Sequence, residues 1–423
     1  MDTRKDRAWW WRRDQSVASP GSQLIAWAAD DDDAARSVAE QLRAECQANG
    51  TVPVGHDIRT AGSGRGEVRR AVVASTPAEA LERISQASMT PSSRPEQRRP
   101  PIALLLPGQG AQHDRMAVGL YGLDPVFTDT VDEVLGMMGT EGERIGRLWL
   151  DGCDPDQLDD VRSAQPLLFA VEFALATMVQ SWGVRVAAFL GHSIGEMVAA
   201  TLTGVLSLPD AVRMIQSRVA ALAMAPPGGM LAVAATPAEV APLLTDGVSV
   251  AAVNGSRQVL LAGLDQPLAL AGERLATYGV VFRRARASTA FHNPVLKDYA
   301  EASWRCQAAA LSLPDRRVVS CYTTADLDAR TARDPGYWAS HPVAPVLFHP
   351  ALGTLLSQQD YLLLETGPSQ GLSILARQHH AVRHGGSSVL GLLPGREGSP
   401  AQDRTFALQA LAELWRAGYL DLW

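Results

Sequence analysis

Apolar residues follow different rhythms in different parts of this chain. The segments IALLLP (102–107) and VAAFL (186–190) are apolar without interruption. Runs that short and that uniform predict buried strands of a parallel sheet. QPLLFAVEFALATMVQSWG (165–183) is a long apolar stretch closed by Gly183, which predicts a core helix, and EMVAATLTG (196–204) predicts another just after the second strand. Strands and helices resume over 310–377, so the large central part of the chain reads as α/β.

Between 229 and 288 the rhythm changes. MLAVAA, a helix from Pro237, VSVAAV, QVLLAG, a helix over 265–277 and GVVFRRA follow in the order β-α-β-β-α-β. That order is the ferredoxin-like plan, here as an insertion. Nearer the start, SQLIAWAA predicts a strand and Ala34–Ala48 a helix, with Val38, Leu42 and Cys46 at a spacing of four. VRRAVVA (68–74) predicts a second strand. Thr76-Pro77-Ala78-Glu79 then opens a helix that is expected to run to about Ser85. These pieces divide the chain into a tail (1–20), an α/β linker domain (21–88) and a Pro-rich connector (89–100). A large subdomain follows in two parts (101–228 and 289–390) around the insertion (229–288), and a C-terminal segment (391–423) ends in an amphipathic helix expected to pack back. The tail carries Trp9-Trp10-Trp11 among arginines, readable as a partner-docking element or as local packing.

Composition narrows the class of protein. The chain has 423 residues, 46% apolar and 20% charged, which fits several folding units and excludes a disordered chain. A net charge of −7 argues against a nucleic-acid or membrane-surface binder. Cys46, Cys153, Cys306 and Cys321 form no C-x-x-C pair and read as small core residues of a reducing compartment. The first residues contain no apolar signal-peptide run, and the charge-free stretches 219–238 and 335–359 are broken by prolines. The expectation is a soluble, cytoplasmic protein.

The sharpest chemical signal is Gly191-His192-Ser193-Ile194-Gly195, placed between a strand and a helix. This is the setting of a nucleophile elbow, where glycines allow a tight turn and the serine Oγ stands clear at a strand end. The Ile194 amide, at the helix start, is placed to donate to an oxyanion. The alternative is a purely structural glycine turn. A serine nucleophile needs a base, and His292, in Thr289-Ala290-Phe291-His292-Asn293-Pro294, is the candidate. His192 points elsewhere on the turn, and His379, His380 and His384 read as surface. No Asp or Glu between Ser193 and His292 sits in an obvious strand-end loop, so a dyad fits better than a triad. Gly108-Gln109-Gly110, after the first strand, offers the Gln109 amide as a second oxyanion donor. Arg218 lies in an apolar stretch, either as a snorkelling surface side chain or as a bidentate carboxylate anchor.

Together these motifs resemble the acyltransferase domains of modular polyketide synthases, and they are similar to bacterial malonyl-CoA:acyl-carrier-protein transacylases. The matching text is LLLPGQGAQ (104–112), GHSIGE (191–196), Arg218 eight residues before PPGG, AAVNGSRQVLLAG (251–263), TAFHNP (289–294), DPGYWASHPVAPVLF (334–348) and ETGPSQGLSILARQH (365–379). The resemblance implies an α/β-hydrolase-like large subdomain with a ferredoxin-like small one. It implies Ser193 as nucleophile, His292 as base and then acid, and the Gln109 and Ile194 amides as oxyanion hole. It further implies that the His341 carbonyl orients His292, that Arg218 binds a malonyl carboxylate and that Asn254 lines the cleft. Phe291 would fill the room an α-methyl group needs, a modest discrimination. Thr289 matches neither the malonyl nor the methylmalonyl pattern of the family and leaves the α-substituent open.

The implied activity is ping-pong transfer of a malonyl-type extender from CoA to the phosphopantetheine thiol of an acyl carrier protein, in polyketide biosynthesis. No metal or bound cofactor is required; acyl-CoA is substrate and phosphopantetheine acceptor. The implied partners are the carrier protein and a synthase's ketosynthase, with no nucleic acid and no membrane. The alternatives are an editing acyl hydrolase with the same site, and a non-catalytic scaffold. The Met1 start and the unusual first residues favour a discrete protein over a domain cut from a larger synthase. An acidic carrier would meet a basic patch, for which Arg283, Arg284 and Arg286 are candidates; the alternative is a solvated edge.

Overall fold

The computed structural model describes residues 21–52, 68–90, 99–305 and 310–420. The Trp-rich tail, most of the 89–100 connector and Cys306 lie outside the described residues. Strands β1 (Gln23–Ala29) and β2 (Val68–Ala74) pair antiparallel. Helices Asp32–Asn49 and Pro77–Met89 cover them, and Ile25, Trp27, Leu42, Cys46 and Ile84 close a small core. The first helix starts where the Asp31 side chain accepts from the Ala34 amide at 2.8 Å, and it ends at Gly50 in the left-handed region. The second runs to Met89 rather than to about Ser85: Thr76 and Pro77 open it as read, and no breaker stands before Thr90.

The large sheet is built from β3 (Ile102–Leu106) and β4 (Val186–Gly191) at its heart. The four-stranded sheet of the insertion comes next along the chain, as β5 (Gly228–Val233), β6 (Ser249–Gly255), β7 (Gln258–Leu264) and β8 (Phe282–Arg284). Then β9 (Arg317–Ser320), β10 (Leu362–Glu365) and β11 (Ser388–Gly391) return to the large sheet. Its order is β11-β10-β3-β4-β9, and all four pairings are parallel. Every residue of β3 and β10 is buried, as expected of strands covered on both faces. The apolar helix expected at 165–183 starts earlier and spans Val161–Ser181, because Asp160 caps it by accepting from the Arg162 amide at 2.8 Å.

The insertion has strand order β6-β7-β5-β8 with every pairing antiparallel, which is the ferredoxin-like arrangement read from the β-α-β-β-α-β order. Two devices fix it against the large sheet. Val346 is bonded along β6, with Val253 N to Val346 O at 2.8 Å and Val346 N to Ala251 O at 2.9 Å. Asn293 donates from Nδ2 to the Gly247 and Ala262 carbonyls at 3.0 and 2.7 Å and to the Ser249 hydroxyl at 3.0 Å. The residue after His292 is thereby locked to the small sheet, and the cleft between the two units takes a defined shape.

The C-terminal helix Pro400–Arg416 packs back, as its amphipathic pattern predicts. Trp415 is fully buried with the Arg69 guanidinium 4.2 Å over its ring, and Arg69 also donates to the Leu420 carbonyl at 2.8 Å. Arg404 reaches the Ser22 carbonyl at 2.9 Å, while Asp403 accepts from Gly119 at 3.2 Å. One helix thus joins the N-terminal unit to the body. Among the described residues no helix is long and apolar enough to cross a membrane.

Candidate active site

In an open α/β sheet the reactive site forms beyond the carboxyl ends of the strands. Here β4 ends at Gly191, and helix Ile194–Leu202 starts three residues later. Between them Ser193 is held at φ 55° and ψ −114°, a strained conformation for a residue with a Cβ. The flanking glycines explain the motif. A Cβ on Gly191 would overlap the Glu196 amide nitrogen, and one on Gly195 would overlap the Leu106 carbonyl oxygen at the end of β3. Gly108 allows the next loop in equally close: a Cβ there would sit 2.6 Å from the His192 oxygen and 3.2 Å from the Ser193 Cβ.

Ser193 Oγ lies 2.8 Å from His292 Nε2. His292 Nδ1 lies 2.9 Å from the Ala344 carbonyl oxygen. A carbonyl only accepts, so Nδ1 carries the proton and Nε2 is free to accept from the serine. His292 is itself held at φ 60°, anchored by its amide to the Pro342 oxygen at 2.7 Å. The shorter orienting bond therefore goes to the Ala344 carbonyl, and the His341 carbonyl that the resemblance implied is a second backbone acceptor beside the ring. The chain turns at His341-Pro342, which carries the Ala344 carbonyl over the ring. Burial pushes the imidazole down to about 3; His192 and Arg218 push the same way and the carbonyl contacts oppose them. A neutral imidazole beside a serine hydroxyl is a competent general base at neutral pH.

The Ile194 amide opens its helix, and the Gln109 amide follows the end of β3; neither donates to an acceptor among the described residues. The Gln109 loop is pinned nearby, with Gln112 Oε1 accepting from Gly110 at 2.6 Å and Gln112 Nε2 donating to Asp159 at 2.7 Å. Two free amides at adjacent strand ends are the donor pair that an oxyanion requires.

Arg218, on helix Leu208–Leu222, is 6% exposed, which removes the surface reading. It occupies a buried stripe with Ala211, Ile215 and Leu222, so its spacing within the helix carried the signal of burial. Its polar contacts are weak: the Trp338 carbonyl at 3.4 Å and the Met197 sulfur at 3.6 Å. No carboxylate pairs with it among the described residues. Burial holds its guanidinium below the ordinary arginine value. A buried, uncompensated cation beside a nucleophile is a receptor for an anion.

Phe291 is buried directly before His292, with its amide bonded to the Thr289 oxygen at 2.9 Å. Asn254 Oδ1 accepts from His192 Nε2 at 2.9 Å, which ties the ring beside the serine to β6. His379, read as surface, is buried, and its Nδ1 accepts from the Ala381 amide at 3.3 Å; His380 and His384 are exposed. On the β8 edge Arg284 pairs with Asp265 at 2.6 Å, whereas Arg283 and Arg286 are exposed.

Sequence reasoning gave Glu196 no role. It is fully buried, accepts from the Cys321 amide at 2.9 Å and from the Tyr337 hydroxyl, and so ties the serine-bearing helix to the loop after β9. Burial raises its carboxyl to about 7 while these hydrogen bonds oppose the shift. Its place in GHSIGE, one residue beyond the second glycine, was the available signal. Tyr322 and the ring of His341 were also missed; they stack with centroids 4.0 Å apart near Arg218.

Residues 104–378 match the family described as "Acyl transferase domain". One component of the phenolphthiocerol/phthiocerol polyketide synthase of Mycobacterium tuberculosis is 35% identical over 322 residues, 75% of this chain and 21% of that protein. Polyketide synthase GfsA of Streptomyces halstedii is 33% identical over 380 residues, 84% of this chain and 5% of that protein. The chain thus spans about a fifth or less of these relatives. Among solved structures, the acyl transferase domain of SpnD, in complex with 2-(pent-4-yn-1-yl)malonyl, superposes with a TM-score of 0.82 at 28% identity, covering 95% of this chain and 98% of that one. The acyltransferase domain from the second module of the salinomycin polyketide synthase gives 0.71 at 30% identity, with 96% and 85% covered. With the serine elbow, the neutral histidine and the paired amides on one sheet edge, these likenesses place the chain in the acyl transferase domain family, as an acyltransferase of the polyketide synthase type.

Proposed function

We propose that this acyltransferase moves a malonyl unit from CoA to the phosphopantetheine thiol of an acyl carrier protein, through an acyl ester on Ser193. The observation that carries this reading is Arg218, a buried guanidinium with no acid partner among the described residues. A free carboxylate on the acyl group supplies that partner, bidentately. The SpnD domain's complex with a substituted malonyl group supports the same substrate class. A hydrolase of simple acyl chains has no use for such an anchor.

In the first half-reaction Ser193 Oγ attacks the thioester carbon while its proton passes to His292 Nε2. The carbonyl oxygen becomes an oxyanion and is held by the Gln109 and Ile194 amides. The C–S bond breaks, and the imidazolium returns its proton to the departing CoA sulfur. In the second half the carrier thiol takes the place of the serine hydroxyl: His292 accepts its proton, the thiolate attacks the ester and Ser193 leaves with the proton. The Ala344 carbonyl keeps Nδ1 protonated throughout, orienting the ring as a carboxylate does in a triad. Phe291 crowds the α-carbon and disfavours substituents there. Arg283 and Arg286 offer an exposed basic edge to an acidic carrier.

The test is to follow CoA release and carrier acylation together. Transfer gives malonyl-carrier equal to CoA released, and release stops after one turnover when the carrier is omitted. Steady CoA release without a carrier contradicts the reading and favours the hydrolase.

The pH profile supplies a second check. In the free enzyme burial and Arg218 hold the base far below the ordinary histidine range. The acylation kcat/KM is therefore expected to stay flat from about pH 8 to about pH 5. A bound carboxylate cancels the Arg218 charge and lets the His292 value rise. The acid limb of kcat, at saturating malonyl-CoA, should then lie at higher pH than that of kcat/KM. Pre-steady-state acylation at low and saturating substrate measures both, and an inflection near the ordinary histidine value, about 6.5, in kcat/KM contradicts the assignment.

A further inference from the structure

The loop after β9 reaches the same sheet edge as Ser193, because β9 is the parallel neighbour of β4. It carries Tyr322 and is tightly fixed. Ser320 Oγ accepts from the Tyr322 amide at 2.9 Å and the Thr323 amide at 3.1 Å, and Thr324 turns the chain at φ 56°. The Tyr322 ring stacks on His341 at 4.0 Å and meets Tyr337 edge-on at 6.2 Å. Its hydroxyl is buried and has no hydrogen-bond partner among the described residues. Ser193 and Arg218 are both close enough to act on that hydroxyl; Ser193 stands outside good bonding geometry to it and is engaged with His292 at 2.8 Å.

A buried phenol without a partner is costlier than the phenylalanine that would pack identically. The Tyr337 hydroxyl alongside is saturated by Glu196 and Ser320, so the free one is a feature of position and not of a generally polar core. The acyl group described above, on whose assignment this inference rests, spans the distance from Ser193 to Arg218, which is where the Tyr322 hydroxyl sits.

We infer that Tyr322 is a specificity-determining residue, whose hydroxyl donates a hydrogen bond to the terminal carboxylate of the acyl group beside the Arg218 guanidinium. His341 serves as the platform that keeps the ring in place. Burial, with the neighbouring Arg218 charge, keeps its imidazole neutral, so it does not compete with Arg218 for the anion. The consequence is a carboxylate gripped from two elements, the helix of Arg218 and the β9 loop, which favours a short dicarboxylic acyl chain over a neutral one.

Tyr322→Phe tests this in the whole 423-residue chain, since it keeps the ring and its stacking. The expected result is a rise of about 10- to 30-fold in KM for malonyl-CoA, with kcat for acylation changed far less. The malonyl-to-acetyl ratio of kcat/KM should fall by the same factor. In an Arg218→Ala background the Tyr322→Phe effect should change by several-fold, because the two donors share one acceptor. A thermal midpoint at or above the wild-type value checks folding. Equal losses for malonyl- and acetyl-CoA would mark Tyr322 as merely structural and overturn the inference, and so would an unchanged malonyl KM. A wild-type enzyme that takes up no malonyl overturns the functional reading and this inference together, whereas normal malonyl uptake indifferent to Tyr322→Phe overturns this inference alone.

Discussion

Arg218→Ala is expected to lower kcat/KM for malonyl-CoA by about 10²- to 10⁴-fold while acetyl-CoA becomes the better substrate. The reason is asymmetric. With malonyl, truncation strands a carboxylate in a buried site whose strongest donor has gone. With acetyl, the wild-type enzyme must leave a guanidinium buried and unpaired, and truncation removes that penalty. Because Arg218 has, among the described residues, only the Trp338 carbonyl and the Met197 sulfur for polar contacts, its loss breaks no ion pair there. Arg218→Met, which keeps the apolar stem, should therefore raise the thermal midpoint of the ligand-free chain even as it destroys malonyl selectivity. Competition between the two CoA esters, read with a melting curve on each variant, checks both halves. A fall in the midpoint of Arg218→Met would contradict the picture of an uncompensated cation.

The largest effect falls on Ser193→Ala, which should abolish the acyl-enzyme and reduce transfer by about 10⁴- to 10⁶-fold. His292→Ala should approach the same floor, and the double variant should be little worse than either, because the dyad acts as one unit. The fold should tolerate Ser193→Ala well. The strain at φ 55° comes from the Cβ, which alanine keeps, on a backbone held there by the close approach of Gly191, Gly195 and Gly108, so the substitution neither adds to it nor relieves it. Single-turnover acylation of each variant, beside its melting curve, separates chemical loss from unfolding. A Ser193→Ala variant that still forms a covalent acyl adduct would place the nucleophile elsewhere.

Much of this architecture was legible in the chain because it is written in local signals. Unbroken apolar runs marked β3 and β4, and the alternation of strand and helix text marked the inserted sheet, down to its β-α-β-β-α-β order. The glycines around Ser193 announced a turn whose reason is now visible in their contacts with Glu196 and Leu106. What escaped was the information held in tertiary register. Whether His341 or Ala344 offers the shorter carbonyl bond to His292 depends on how the chain turns after helix Pro335–Ser340, and no residue type reports that. Tyr322 sits in a loop without periodicity, and its importance comes from the parallel pairing of β9 with β4. Arg218 was readable both as surface and as anchor from composition alone; its position on the Ala211–Ile215–Leu222 stripe decides for burial. His379 followed the opposite course, its polar neighbourhood suggesting surface where the fold buries the ring.

The central claim is that Ser193 carries a malonyl group whose carboxylate is held by Arg218. Intact-protein mass spectrometry after brief mixing with an equimolar blend of malonyl- and acetyl-CoA, on the wild type and on Arg218→Ala, tests it most directly. The account predicts a single malonyl adduct on the wild type and an acetyl adduct on Arg218→Ala, both absent when Ser193 is also replaced by alanine. An acetyl adduct on the wild type, or a malonyl adduct that survives Arg218→Ala undiminished, would contradict it.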